Sequence, residues 1–135
     1  MRRSILALPA AGAAVALAAL AIPAASSAED ELPRWQQARS VGSAENCISL
    51  TRIRNTRVHD DRTIDFHMRG GRIYRNTLPY ECNGLGREEA FSYRTSLSRL
   101  CSVDIITVVQ TGGGAINGPS CGLGEFEPIE LPERG

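Results

Sequence analysis

The stretch "VHDDRTIDFHMRGGRIYRN", residues 58–76, decides the class of fold. Ile64, Phe66 and Met68 are apolar at every second position, and strand side chains alternate between faces, so the three line one side of a strand. Gly70-Gly71 follows, a pair suited to a tight hairpin turn, and Arg72 to Leu78 returns as the partner strand until Pro79 ends it. On the other side, "HDDR" at 59–62 is turn chemistry, because short carboxylates accept hydrogen bonds from nearby backbone N–H groups. Upstream, Cys47 to Val58 alternates through Ile48 and Leu50 and then slips phase to Ile53, which predicts a strand with a bulge near Thr51.

The same stretch holds both histidines of the chain and three aspartates between His59 and His67. On one extended strand His59, Asp61, Thr63, Asp65 and His67 would share a face, but the two histidines would stand about 26 Å apart. Metal ligands must lie within about 2–2.6 Å of the ion. With a turn at "HDDR", only Asp65 and His67 remain neighbours on one face, and two ligands do not make a site. The expectation is therefore a turn and a solvated hairpin face, with no metal and no cofactor.

Working outward, Arg87 to Leu97 reads as a short helix with Ala90, Tyr93, Arg94 and Leu97 on one side. "DIITVV", Asp104 to Val109, is a continuous apolar run of strand length and the expected most buried segment. Gly118-Pro119 marks a turn, Leu123 to Ile129 a last strand, and residues 130–135 a charged tail. Three strands, a helix and two strands predict a mainly β domain over residues 46–129: a small five-stranded OB-like barrel, or alternatively an SH3-like one. Residues 29–45, polar around Trp35, read as a loosely ordered arm or a short helix.

The first twenty-eight residues read as a secretory signal peptide: Arg2 and Arg3, an alanine-rich apolar run from Ile5 to Ala25, and small residues Ser26-Ser27-Ala28 at the cleavage position. Pro9 and Pro23 interrupt the run and weigh against a membrane anchor, so no span is expected after cleavage. Twin arginines at the extreme terminus are weak evidence for export of a folded protein. The four cysteines, Cys47, Cys82, Cys101 and Cys121, all lie beyond this leader. An even count in a short exported chain predicts two disulfides and a periplasmic or secreted location. Of three possible pairings, Cys82 with Cys101 and Cys47 with Cys121 is the one expected. Zinc binding would call for closer cysteine pairs.

Charge is balanced overall, with fifteen basic and fifteen acidic residues, but it is segregated. Arg52 to Arg75 holds seven arginines against three aspartates, whereas Leu100 to Gly135 holds five acidic residues against Arg134 alone. There is no lysine. Arg52, Arg54, Arg57, Arg69, Arg72 and Arg75 are the candidate ligand-binding residues, because a guanidinium forks onto carboxylate, sulfate or phosphate. No catalytic motif emerges. No serine sits in a G-x-S-x-G setting, and "QTGGGAINGPSCGLG" lacks the lysine and Ser/Thr of a phosphate loop. "CNGLG" and "CGLG" echo each other without forming a repeat.

The segments "CISLTRIRNTRVHDDRTIDFHMRGGRIYRNTLPYECNGLG", "FSYRTSLSRLCSVDIITVV" and "GPSCGLGEF" resemble a family of small exported bacterial proteins known as a domain of unknown function. The resemblance spans roughly residues 46–127, with Asn83 and Asn117 standing where the family pattern favours proline. It implies a periplasmic or secreted location and brings no activity or functional residues. Three functions are consistent with these features: a non-catalytic binding or envelope accessory module with a protein partner, a polyanion binder using the hairpin arginines, and a small hydrolase.

Overall fold

The structure, a computed structural model, describes residues 9–22, 31–112 and 117–135. The expected cleavage position after Ala28 and residues 113–116 of the glycine-rich stretch lie outside the described residues. The chain divides into two units, Met1–Glu31 and Leu32–Gly135. Residues 9–22 of the first are exposed and carry no helix or strand. Among the described residues, no helix is long and apolar enough to cross a membrane.

The second unit is mainly β. Its described strands are β1 (Arg39–Ser40), β2 (Cys47–Ser49), β3 (Ile53–Val58), β4 (Thr63–Met68), β5 (Ile73–Thr77), β6 (Phe91–Tyr93), β7 (Arg99–Cys101), β8 (Ile105–Val109), β9 (Asn117–Gly122) and β10 (Phe126–Glu130), with one helical turn, α1 (Leu85–Glu88). They form a five-stranded sheet in the order β1-β10-β5-β4-β3, a three-stranded sheet β6-β8-β9 and the pair β2-β7. All pairings are antiparallel. The sheets are open, so the expectation of a mainly β chain holds while a five-stranded OB-like or SH3-like barrel is not what the described strands build.

The opening stretch folds as its chemistry demands. Gly70 and Gly71 take φ of 94° and 91°, a backbone region closed to most side chains, and the Met68 N–H donates to the Arg72 carbonyl across the turn. At the other end Asp60 Oδ1 accepts from the Arg62 N–H at 2.8 Å, and the His59 N–H donates to the Thr63 carbonyl. β4 thus lies between β3 and β5, with Ile64, Phe66 and Met68 facing the core. Phe66 is the centre of that core. Its ring meets Phe126 at 5.4 Å and Phe91 at 6.2 Å, both edge to face, the geometry that aromatic quadrupoles favour. Ile106, Val108, Leu78, Leu85 and Leu100 complete it.

Several expectations are corrected. β4, not β8, is the most buried strand: five of its six residues are buried, whereas in β8 only Ile106 and Val108 are. The reason is that β4 is covered on both faces. The helix expected over Arg87 to Leu97 is one turn at Leu85–Glu88, after which Phe91–Tyr93 pairs with β8; Ser92 and the β-forming aromatics beside it fit a strand better than a helix. The phase slip after Leu50 is a 3-10 turn, Leu50–Arg52, and the bulge lies at Ile53–Asn55. Gly118-Pro119 is part of β9 rather than a turn; β9 is an edge strand, where a missing N–H is tolerated.

The disulfides are Cys47–Cys101 and Cys82–Cys121, not the expected pairing. β2 pairs with β7, which sets Cys47 directly opposite Cys101. Cys82, buried just before α1, meets Cys121 of β9 instead. With sequence separations of 54 and 39 residues, each closure stabilises by about 4 kcal/mol on the chain-entropy estimate. A second long-range lock is Asn76, whose buried amide exchanges two hydrogen bonds with the backbone of Gly124. A Cβ at Gly124 would collide with the Thr77 carbonyl oxygen.

From Leu32 onward the arm carries short regular elements. It makes a 3-10 turn at Arg34–Gln37 and then pairs β1 with β10. The Val41 N–H donates to the Pro128 carbonyl, and Arg39 pairs with Glu130 at 2.6 Å. Arg34 Nε donates to the Pro132 carbonyl at 2.7 Å, fastening the tail beside the arm.

Candidate functional site

Strand register places a row of alternating charge across the outer face of the large sheet: Arg57 opposite Asp65, Asp65 opposite Arg75, Arg75 opposite Glu127. Asp65 is fully buried. Its Oδ1 accepts from Arg75 Nε at 2.7 Å, and its Oδ2 accepts from Arg75 Nη2 and His59 Nε2, both at 2.8 Å. An ionised carboxylate only accepts, so the His59 proton facing it is on Nε2. The forked guanidinium contact is the strong, geometrically specific kind.

What buries this group is Trp35. Its indole stacks on the His59 ring with centroids 4.6 Å apart and planes 9° from parallel, and the Arg75 guanidinium carbon lies 5.7 Å from the indole centroid. The His59 and Arg75 side chains retain only 10% and 13% of their exposure. The expected turn at "HDDR" is present, but the hairpin face is not simply solvated. A buried ionised carboxylate requires charge and hydrogen-bond compensation; Arg75 supplies both, His59 adds a hydrogen bond, and the indole covers the two partners.

Beside Trp35 the outer face opens into a groove of about 540 Å³. Arg34, Trp35, Leu131 and Arg134 form one bank, the β3 residues Arg54 to Arg57 form the other, and Asp65 and His67 contribute to the lining. Since Asp65 is already compensated by Arg75, the groove is cationic. Among the described residues, no carboxylate oxygen lies within 4.0 Å of the guanidinium groups of Arg34, Arg54, Arg57 or Arg134. His67 is held below the ordinary histidine value, chiefly by burial, with Arg54, His59 and Arg57 adding to the effect and Asp65 opposing it. It is therefore neutral at pH 7 and available as a donor or acceptor.

The six candidate arginines separate into three roles. Arg54 and Arg57 line this groove. Arg75 is occupied by Asp65 and belongs to the framework. Arg52, Arg69 and Arg72 gather at the hairpin tip around a second cavity of about 410 Å³ that also includes Glu45 and Tyr74, where Arg72 Nη1 donates to the Tyr74 hydroxyl at 3.4 Å. Arg34 and Arg134, which complete the groove, lie outside the arginine-rich stretch. No local pattern points to them, because their approach depends on a contact between residues 98 apart.

Compared with known proteins, the chain matches no family model, no curated protein and no solved structure. The chemistry of the groove must be read from its residues. Among the described residues, no three His, Cys, Asp or Glu side chains converge on a metal-sized position. Every cysteine is in a disulfide, so no thiolate is available for nucleophilic attack. What the groove offers is a set of guanidinium forks with a neutral imidazole between them, an arrangement suited to holding carboxylate, sulfate or phosphate groups.

Proposed function

We propose that this chain is an exported, non-catalytic binding module, periplasmic or secreted, that takes an anionic ligand in the groove between Trp35 and β3. One observation carries the reading: among the described residues, the one carboxylate lining the groove is internally compensated by Arg75 and His59, and Arg34, Arg54, Arg57 and Arg134 have no carboxylate within ion-pair distance. Two disulfides favour an oxidising compartment. The leader and the resemblance to exported proteins agree with that location.

The test is binding of inorganic polyphosphate, measured by calorimetry at several salt concentrations. Wild-type protein binds it with an affinity that falls steeply as salt rises, the mark of counterion release. Arg54→Glu with Arg57→Glu weakens binding by at least about tenfold, since each charge-assisted contact contributes roughly 1.5–3 kcal/mol. Arg52→Glu with Arg72→Glu, at the hairpin tip, has the smaller effect. Absence of binding at low salt, or an equal loss from the tip variant, overturns the assignment to this groove.

A further inference from the structure

The arginines of β3 stand on a strand that has no hydrogen-bonded strand on its other side. β3 is the terminal strand of the five-stranded sheet, and from Arg54 to Arg57 its residues are exposed. The opposite terminal strand, β1, has only two residues. The hydrogen-bond phase of β3 follows from its turn: the His59 N–H bonds the Thr63 carbonyl, and in an antiparallel pair the bonded positions recur every second residue. Arg57 and Asn55 therefore bond to β4. The N–H and C=O groups of Thr56 and Val58 point away from it, and among the described residues no backbone bond beyond the sheet uses them.

An uncovered strand edge is a template for another strand, and proteins commonly blunt it with charge. Here the charge has one sign. Antiparallel pairing of β3 with a second copy would set Arg54 and Arg57 against the same residues of the other chain, and like charges on paired strands repel. The identical edge attracts an extended segment bearing carboxylates, which can satisfy the outward backbone groups and the guanidinium groups together. We infer that β3 is a docking edge for an extended acidic polypeptide segment, which adds to the sheet as a sixth strand. This rests on the anion-binding reading of Arg54 and Arg57 and specifies the partner as a protein rather than a polysaccharide or nucleic acid.

Thr56 provides the test, because proline there removes an outward N–H and no bond to β4, a substitution that edge strands tolerate. The probe is an acetylated, amidated ten-residue peptide of glutamate alternating with valine and threonine, titrated at low salt in parallel with inorganic polyphosphate. Wild type should bind both. Thr56→Pro should weaken the peptide at least about tenfold, a larger loss than polyphosphate suffers; a peptide N-methylated at alternate residues should fail against wild-type protein, while its unmethylated parent and polyphosphate bind, which covers the case of a misfolded proline variant. A lysine-for-glutamate peptide should not bind. If polyphosphate binds but the glutamate peptide does not, or if neither Thr56→Pro nor N-methylation matters, the strand-addition inference is wrong while the anionic groove stands. If neither probe binds, both fall. Dimerisation of the free protein through β3, detected by sedimentation and abolished by Thr56→Pro, would also overturn it.

Discussion

The two faces of β4 are both mostly buried, and they are buried for different reasons. Toward the core, Ile64, Phe66 and Met68 are covered by apolar side chains from β5, β8 and β10, so removal of hydrocarbon from water accounts for their burial. Toward the outside, Thr63 and Asp65 are buried as well, but there the cover is polar: His59, Arg75 and an indole from an arm thirty residues earlier in the chain. The inner face would tolerate any apolar group of suitable volume. The outer face depends on complementary charge, and loss of one partner leaves the others buried and uncompensated. One strand thus joins a core that carries stability to a charged surface that shapes a groove.

The largest test of this contrast is Phe66→Ala. It empties the aromatic centre and should lower unfolding free energy by about 3–5 kcal/mol in denaturant titration; a cost under about 1 kcal/mol would mean that the inner face is not the core. Asp65→Asn should cost about 3 kcal/mol, because it leaves Arg75 against a neutral amide in a dry site. Replacing both partners, Asp65→Val with Arg75→Leu, should recover much of that loss. If the double change is as costly as the sum of the single ones, there is no coupling, and the outer face is held by packing like the inner one.

Trp35→Ala removes the stack on His59 and the contact with Arg75, and should cost about 1–2 kcal/mol. It should also raise hydrogen exchange at Asp65 and His59, which a purely inner-face mutation would do only through global unfolding. The smallest effect belongs to His67→Gln, within about 0.5 kcal/mol at neutral pH. Its signature is pH dependence. Since folding lowers the His67 value below 6.5, the unfolded chain binds the proton more readily, and wild-type stability falls as pH drops through 6.5 toward the folded value. The variant should lose less over the same interval. Thermal melts from about pH 8 to about pH 5 that show identical slopes would remove His67 from the account.

Ile64, Phe66 and Met68, the glycine turn after them and the aspartate turn before them were legible from spacing and turn chemistry alone, because those preferences act over a few residues. The same is true of the mainly β class and of the even cysteine count, which is realised as two bonds. The arginine-rich stretch includes Arg54 and Arg57, which line the proposed groove. It could not separate them from Arg75, whose charge is spent on Asp65, or from Arg52, Arg69 and Arg72, which the hairpin carries to its tip.

What only the tertiary structure decided was which distant segments meet. The pairing of β2 with β7 chose Cys101 for Cys47, although spacing along the chain favoured other loops. The arm placed Trp35 over His59 and brought Arg34 to the tail, converting an apparently solvated face into a buried ion group with a cationic groove beside it. The physical reason is common to all of these. Strand period and turn propensity are written in neighbouring residues, whereas the cover that Trp35 lays over His59 and the closure of each disulfide depend on contacts between residues tens of positions apart, which no local pattern encodes.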